Sequence, residues 1–333
     1  MKVLLSGTAG EAGWPASGCR CASCAGLAPG HRRPFELIVD GAVSFPFADV
    51  PPGYAACAGG RGLTGPDGTA LLCLPAGHGV PPDGPSRYDV VLIDLLDRPE
   101  RLGELRRAGL ADEATRVVAV GLDHRIRSEG ELARRLRLWG AVAVPDGTVL
   151  ETGAAQAASR SLVRRALLLG GSRSGKSAEA ELRLAAEPCV TYVATGPDGA
   201  GDGEWAARVR AHRTRRPAHW DTVETTDLAG TIRSATAPLL IDGLGTWLAA
   251  VFDEHGAWEG DRAPVAGRCD ELVAAWRQAQ RPIVAVSDEV GMGVVPATAS
   301  GRAFRDALGR LNERLAAESE YVALVVAGRP LEL

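Results

Sequence analysis

Residues 170–177 read G-G-S-R-S-G-K-S and fit G-x-x-x-x-G-K-[ST], the spacing of a phosphate-binding loop. The motif makes sense only between a strand and a helix, so it fixes the local fold around it. Ala166-Leu167-Leu168-Leu169 is an apolar run that predicts a buried strand. Ala178 to Ala186 is rich in Ala, Glu, Leu and Arg and predicts a helix. Gly170, Gly171 and Gly175 let the backbone turn its N–H groups inward, with Ser172, Arg173 and Ser174 completing the turn. The positive end of the following helix faces the same place. In this arrangement Lys176 reaches the β/γ-phosphates and Ser177 holds Mg²⁺.

The rest of the second half alternates strand and helix signals, which predicts a parallel α/β sheet. Strands are expected at Val190–Ala194, Pro238–Ile241, Ile283–Val286 and Tyr321–Ala327. Helices are expected at Glu204–His212, Gly243–Phe252, Arg268–Ala279 and Arg302–Ser319. Thr195 and Gly196 follow one strand and Asp242 ends another. Ligands of open α/β sheets collect at such strand ends. Asp242 is placed to bind the same Mg²⁺ as Ser177.

Arg208 to Arg216 reads R-V-R-A-H-R-T-R-R. A charge run of this kind fits a solvated helix face. It equally fits a phosphate cradle around a nucleophilic imidazole. A neutral His212 can attack an α-phosphate and carry the nucleotide covalently. The neighbouring arginines would stabilise charge on departing pyrophosphate.

The first half is organised differently. Val3-Leu4-Leu5 predicts a strand, and Phe35–Val39 with Ala42–Phe47 predict a hairpin around Asp40-Gly41. Residues 54–86 are rich in Gly and Pro and predict mostly loop. Strands are expected at Val90–Ile93, Val117–Val120 and Val142–Val144, and helices at Arg98–Ala108 and Glu129–Trp139. Ser128 and Glu131 have the spacing of a capping box. Glu151–Ser161 is small, polar and without periodicity, so it predicts the linker. The expected domains are therefore residues 1–155 and 164–333.

Cys19, Cys21 and Cys24 form a C-x-C-x-x-C cluster. Three thiolates at this spacing can wrap a tetrahedral Zn²⁺ with a fourth ligand from elsewhere, or they are three free thiols in a loop. The chain has seven cysteines, an odd count that argues against a disulfide framework. Its net charge of −4 provides no global basic field for nucleic acid. No apolar run reaches membrane-spanning length, and the opening M-K-V-L-L-S-G-T lacks the form of a secretory signal. A cytoplasmic location is expected.

The segment L-S-G-T-A-G-E-A-G-W-P, followed by G-C-R-C-A-S-C, resembles the opening of metallo-β-lactamase-like phosphodiesterases. Gly121-Leu122-Asp123-His124 stands where that family has T-H-I-S-H. The resemblance implies a shortened metallo-β-lactamase-like αβ domain. It also implies a structural Zn²⁺ held by Cys19, Cys21, Cys24 and His124. The family's H-x-H-x-D-H motif is missing; this half contains only His31, His78 and His124. A two-metal hydrolase needs several His and Asp ligands, so the hydrolase chemistry is expected to be gone.

The second half resembles the bifunctional adenosylcobinamide kinase/adenosylcobinamide-phosphate guanylyltransferase family of cobalamin biosynthesis. The resemblance rests on G-G-S-R-S-G-K-S, Y-V-A-T at Tyr192–Thr195 and R-V-R-A-H-R-T-R-R-P-A-H-W at Arg208–Trp220. It extends through L-L-I-D-G-L-G-T-W-L at Leu239–Leu248 and D-E-V-G-M-G-V-V-P at Asp288–Pro296. It implies a P-loop NTPase-type sheet flanked by helices, with GTP, ATP and Mg²⁺ as nucleotides and cation. Adenosylcobinamide and its phosphate are the implied substrates, and a homotrimer the implied assembly. It places the guanylylated residue at His212. Implied GTP contacts are Gly170 through Ser177, Thr195, Gly196, Pro197, Arg213, Thr214, Arg215, Arg216, Glu224 and Asp242. Asp288 stands where Asn is common, Gly243 where Cys is common, and the C-terminus lacks the usual Lys. A change in substrate affinity is the expected consequence of Asp288. Two other functions fit the loop: a plain small-molecule kinase with His212 on a solvated face, and a nucleotide-binding regulatory module with a zinc-binding interaction domain.

Overall fold

The computed structural model describes residues 1–152, 163–196 and 216–333. The chain divides into two compact units, Met1–Ser161 with Ala185–Pro188, and Leu162–Leu184 with Cys189–Leu333.

In the first unit, β1 (Lys2–Gly7) is followed by a one-turn helix, α1 (Ala22–Ala25), then β2 (Glu36–Val39) and β3 (Val43–Ser44). Asp40 and Gly41 both take positive φ, 48° and 71°, and the Ala42 amide donates to Val39 O, which closes the turn between the paired residues Val39 and Val43. The strands β4 (Ala55–Cys57), β5 (Gly62–Thr64) and β6 (Ala70–Leu74) come next. They correct the expectation of loop over residues 54–86. β4 and β5 are three residues each, too short to show alternation. β6 is a continuous buried run, A-L-L-C-L, and that run was the usable signal. Then follow β7 (Val90–Ile93), α2 (Glu100–Arg107), β8 (Arg116–Ala119), α3 (Glu129–Trp139) and β9 (Thr148–Glu151).

Val142–Val144, expected as a strand, forms only an isolated bridge from Val142 to Val118. The sheet-forming segment lies later, at β9, where Glu151 pairs with Lys2. Glu151 is thus the end of a strand and not the start of the linker, whose residues 153–161 lie outside the described residues. Ser128 caps α3 by accepting from the Glu131 amide. Glu131 itself pairs with Arg127, Arg134 and Arg135, so the reciprocal half of a capping box is replaced by ion pairs.

The strands build two sheets, ordered β3-β2-β1-β9 and β4-β5-β6-β7-β8. Val3, Leu5, Leu37, Val39 and Leu150 of the first share one core with Leu63, Leu71, Cys73, Val90, Leu92 and Val118 of the second. The two sheets therefore pack face to face. Leu72, Leu74, Val91 and Ile93, which alternate with those residues, are also buried, so the second sheet is covered on both faces.

The second unit starts with β10 (Arg165–Gly170) and α4 (Lys176–Leu184), then β11 (Thr191–Ala194) and β12 (Asp221–Glu224). It continues through α5 (Leu228–Ser234), β13 (Leu239–Asp242), α6 (Leu244–Glu254) and α7 (Ala263–Arg277). It ends with β14 (Ile283–Asp288), α8 (Ala299–Ala317), β15 (Tyr321–Val326) and β16 (Arg329–Glu332). The strand order is β12-β11-β13-β14-β10-β15-β16. All neighbours are parallel except the final β15–β16 hairpin. The expected helix at Glu204–His212 lies outside the described residues.

Alternation along β10 shows why its sequence is apolar throughout. Leu167 and Leu169 join one core with Trp247, Leu272, Trp276 and Leu308 of the helices. Ala166 and Leu168 join the other, with Ala180 and Leu184 of α4. A parallel sheet buried on both faces needs apolar residues at every position. Among the described residues, no helix is long and apolar enough to cross a membrane.

Candidate active site

The phosphate-loop residues lie where β10 ends. Gly170 is the last residue of the strand and pairs in register with Asp288 at the end of β14. A β-carbon on Gly170 would fall 2.7 Å from the Val325 carbonyl, so only glycine passes here. Gly175 has a φ of 97°, and its β-carbon would stand 3.0 Å from Gly328 Cα. Arg173 also takes positive φ, 59°. Ser174 donates its amide to Gly171 O, and Gly328 donates its amide to Ser174 O. These bonds close the loop of Gly171, Ser172, Arg173 and Ser174 before α4 begins at Lys176.

Lys176 is 7% exposed. Its Nζ donates to Gly171 O at 3.1 Å and lies 2.9 Å from Asp288 Oδ1. The Asp288 backbone is held in turn, because Asn312 Nδ2 donates to its carbonyl. Ser287 Oγ donates to Asn312 Oδ1 at 2.6 Å, and both residues are buried. Gly245 of α6 makes room for the carboxylate; a β-carbon there would be 2.6 Å from Asp288 Oδ2.

Ser177 Oγ donates to Asp242 Oδ1 at 3.0 Å, and Tyr192 OH donates to Asp242 Oδ2 at 2.8 Å. Burial and the Asp242 carboxylate push the Tyr192 hydroxyl well above its ordinary pKa, so it stays protonated and a donor. β11 sets β12 and β13 in register, with Ala194 opposite Glu224 on one side and Asp242 on the other. Thr195, just beyond, is buried and donates to the Gly243 carbonyl at 2.7 Å. Gly243 has a φ of 132°, a conformation that a β-carbon disfavours. The Arg216 guanidinium sits 3.6 Å from the centroid of the Tyr192 ring. Arg216, Pro217, Ala218, Trp220, Thr222 and Glu224 line a cleft of about 370 Å³.

Thus Gly170, Gly171, Lys176, Ser177 and Asp242 converge directly, with Thr195, Gly196 and Glu224 at the neighbouring strand ends and Arg216, which precedes β12, against the Tyr192 ring. Pro197, His212, Arg213, Thr214 and Arg215 lie outside the described residues. Sequence reasoning did not assign roles to Tyr192 or Asn312. Nothing in a Y-V-A-T strand or in a helix interior marks a side chain that reaches sideways to a neighbouring strand end.

In the first unit, the donor atoms of Cys19, Cys21, Cys24 and His124 all lie within 4.8 Å of one another. Cys24 Sγ is 3.7 Å from His124 Nδ1. These are separations that a tetrahedral ion with thiolate and imidazole ligands can span. Burial raises the Cys24 thiol to about 11, whereas the Cys24 backbone amide, acting as a donor, lowers Cys21.

Residues 166–333 match the sequence pattern of the family described as Cobinamide kinase / cobinamide phosphate guanyltransferase. The chain belongs to this family. Its relatives include the bifunctional adenosylcobalamin biosynthesis protein CobP of Pseudomonas aeruginosa, 42% identical over 51% of this chain and 96% of that protein. The protein of the same description named CobU is 39% identical in Salmonella typhimurium, over 49% of this chain and 95% of the relative. In Escherichia coli, CobU is 36% identical over the same shares of the two chains. An ATPase from the type III secretion system of pathogenic bacteria aligns at a TM-score of 0.34 and 13% identity, over 48% of this chain and 50% of that one. That likeness is too slight to bear on the fold. Membership of the family makes the second unit a transferase, while the first lies outside the matched residues.

Asp288 competes for Lys176 with any phosphate the loop receives. A partly exposed ion pair is worth up to ~1 kcal/mol. Asp288→Asn is therefore expected to tighten binding of inorganic tripolyphosphate by about fivefold in a calorimetric titration. Unchanged or weaker binding would show that the pair does not oppose the ligand.

Proposed function

We propose that the second unit, residues 164–333, catalyses two successive transfers. In the first, a nucleoside triphosphate phosphorylates the hydroxyl of adenosylcobinamide. In the second, His212 attacks the α-phosphate of GTP and pyrophosphate leaves. The phosphorylated corrinoid then accepts GMP from His212, giving adenosyl-GDP-cobinamide. The observation that carries this function is the convergence of Lys176, Ser177 and Asp242 at adjoining strand ends in a chain of this family.

The chemistry follows from the side chains. The loop amides and Lys176 hold the β- and γ-phosphates. Ser177 and Asp242 would hold Mg²⁺, which supplies charge neutralisation at the phosphates. Their direct hydroxyl–carboxylate contact fits a pair that shares one cation. The cleft lined by Arg216 and Glu224 offers a volume suited to part of a nucleotide. Arg213, Thr214, Arg215 and Pro197 complete the GTP contacts by the family pattern, and the assembly expected from it is a homotrimer.

The first unit, residues 1–155, is proposed to be a shortened metallo-β-lactamase-like domain that has lost hydrolase chemistry and keeps a structural Zn²⁺. Its two facing sheets and the Cys19, Cys21, Cys24 and His124 cluster support this.

Incubation with α-labelled GTP tests the nucleophile. Acid-labile, alkali-stable label is expected on the wild-type chain and absent from His212→Ala. Label that persists in the variant would refute His212. Phosphorylation of cobinamide without protein labelling would favour a simple kinase, and binding without turnover a regulatory module. Metal analysis of the full chain is expected to find about one zinc per chain, lost in Cys24→Ser. A zinc-free chain with undiminished thermal stability would contradict the structural metal.

A further inference from the structure

Asp242 receives a hydroxyl on each carboxylate oxygen, and the two donors are unlike in kind. Ser177 donates to Oδ1 from the phosphate loop, and Tyr192 donates to Oδ2 from the neighbouring strand. A cation held by Ser177 would take a lone pair of its hydroxyl and leave the O–H to donate to Oδ1, so Ser177 would serve the cation and the carboxylate together. Tyr192 bonds the other oxygen, Oδ2, and is the donor of the two that serves the carboxylate without being a ligand of that cation.

Tyr192 is built to hold that position. It is 4% exposed, and its strand is paired on both sides, with Thr222 of β12 and Leu240 of β13. Its ring lies in the apolar core beside Leu168, Leu184 and Val286. The Arg216 guanidinium covers the ring, and Arg216 Nη1 donates to Thr222 Oγ1 at 3.1 Å. A ring fixed by two strands and a stacked cation has little freedom to swing its hydroxyl away from Oδ2.

We propose that Tyr192 is a positioning residue for the metal carboxylate: its hydroxyl fixes the rotation of Asp242 so that Oδ1 faces Ser177. The assignment rests on the nucleotide site described above. Outer groups that orient a metal ligand commonly contribute 10- to 100-fold in metal affinity. Tyr192→Phe keeps the ring, its packing and the stacked guanidinium, and removes only the hydroxyl.

The test is a calorimetric titration of the full chain with a non-hydrolysable GTP analogue, once in Mg²⁺ and once in EDTA. Wild type is expected to bind more tightly in Mg²⁺. Tyr192→Phe is expected to lose at least about tenfold of that gain, with affinity in EDTA within about twofold of wild type. A variant that keeps the full Mg²⁺ gain would overturn the positioning role and leave the nucleotide site standing. Equal losses in Mg²⁺ and EDTA would also overturn it, by showing a general packing defect. A wild type with no Mg²⁺ gain would overturn the metal site itself and this role with it.

Discussion

The register of one parallel sheet fixes everything the second unit can do. β10, β14, β13 and β11 lie side by side and point the same way, so their carboxyl ends form one line. Gly170, Asp288, Asp242 and Thr195 stand on or just beyond those ends. The Ser177–Asp242 contact crosses from the loop of one strand to the end of another two places away. A shift of one residue in any pairing would move a carboxylate away from the loop and reverse which face each side chain occupies. The two apolar cores resist such a shift, because β10 and β14 bury alternate residues on opposite faces.

Two carboxylates at this line do different things. Asp242 accepts from the hydroxyls of Ser177 and Tyr192, one on each carboxylate oxygen. Asp288 engages the ammonium of Lys176, which neutralises the loop's charge before a phosphate arrives. Its backbone is anchored through Asn312 and Ser287, so the carboxylate's position is built into the fold rather than adopted by chance. An amide at this point would leave Lys176 without its carboxylate partner. The difference bears on how readily the loop accepts phosphate.

Much of this was legible in the residues alone. The strand, loop and helix around Lys176 followed from apolar run, glycine spacing and helix formers, and Asp242 from its place after L-L-I. What escaped was lateral. Tyr192 reaches Asp242 across β11 and β13, a contact between residues fifty positions apart that no local pattern encodes. In the first unit the short strands β4 and β5 lack the length for a periodic signal, and β16 was missed because Gly328 looked like a stop rather than a hairpin turn. The cysteines and His124 are distant in sequence yet share one cluster, where the thiols alone could not name their fourth partner.

In the proposed function a single loop serves both transfers, binding a γ-phosphate in one and the leaving pyrophosphate in the other. Lys176→Ala tests this most directly, with corrinoid phosphorylation and labelling of the chain by α-labelled GTP measured on the same preparation. Both are expected to fall by at least about a hundredfold, the scale of losing one preorganised charge at a reacting phosphate. Loss of one reaction with the other intact would contradict a shared loop.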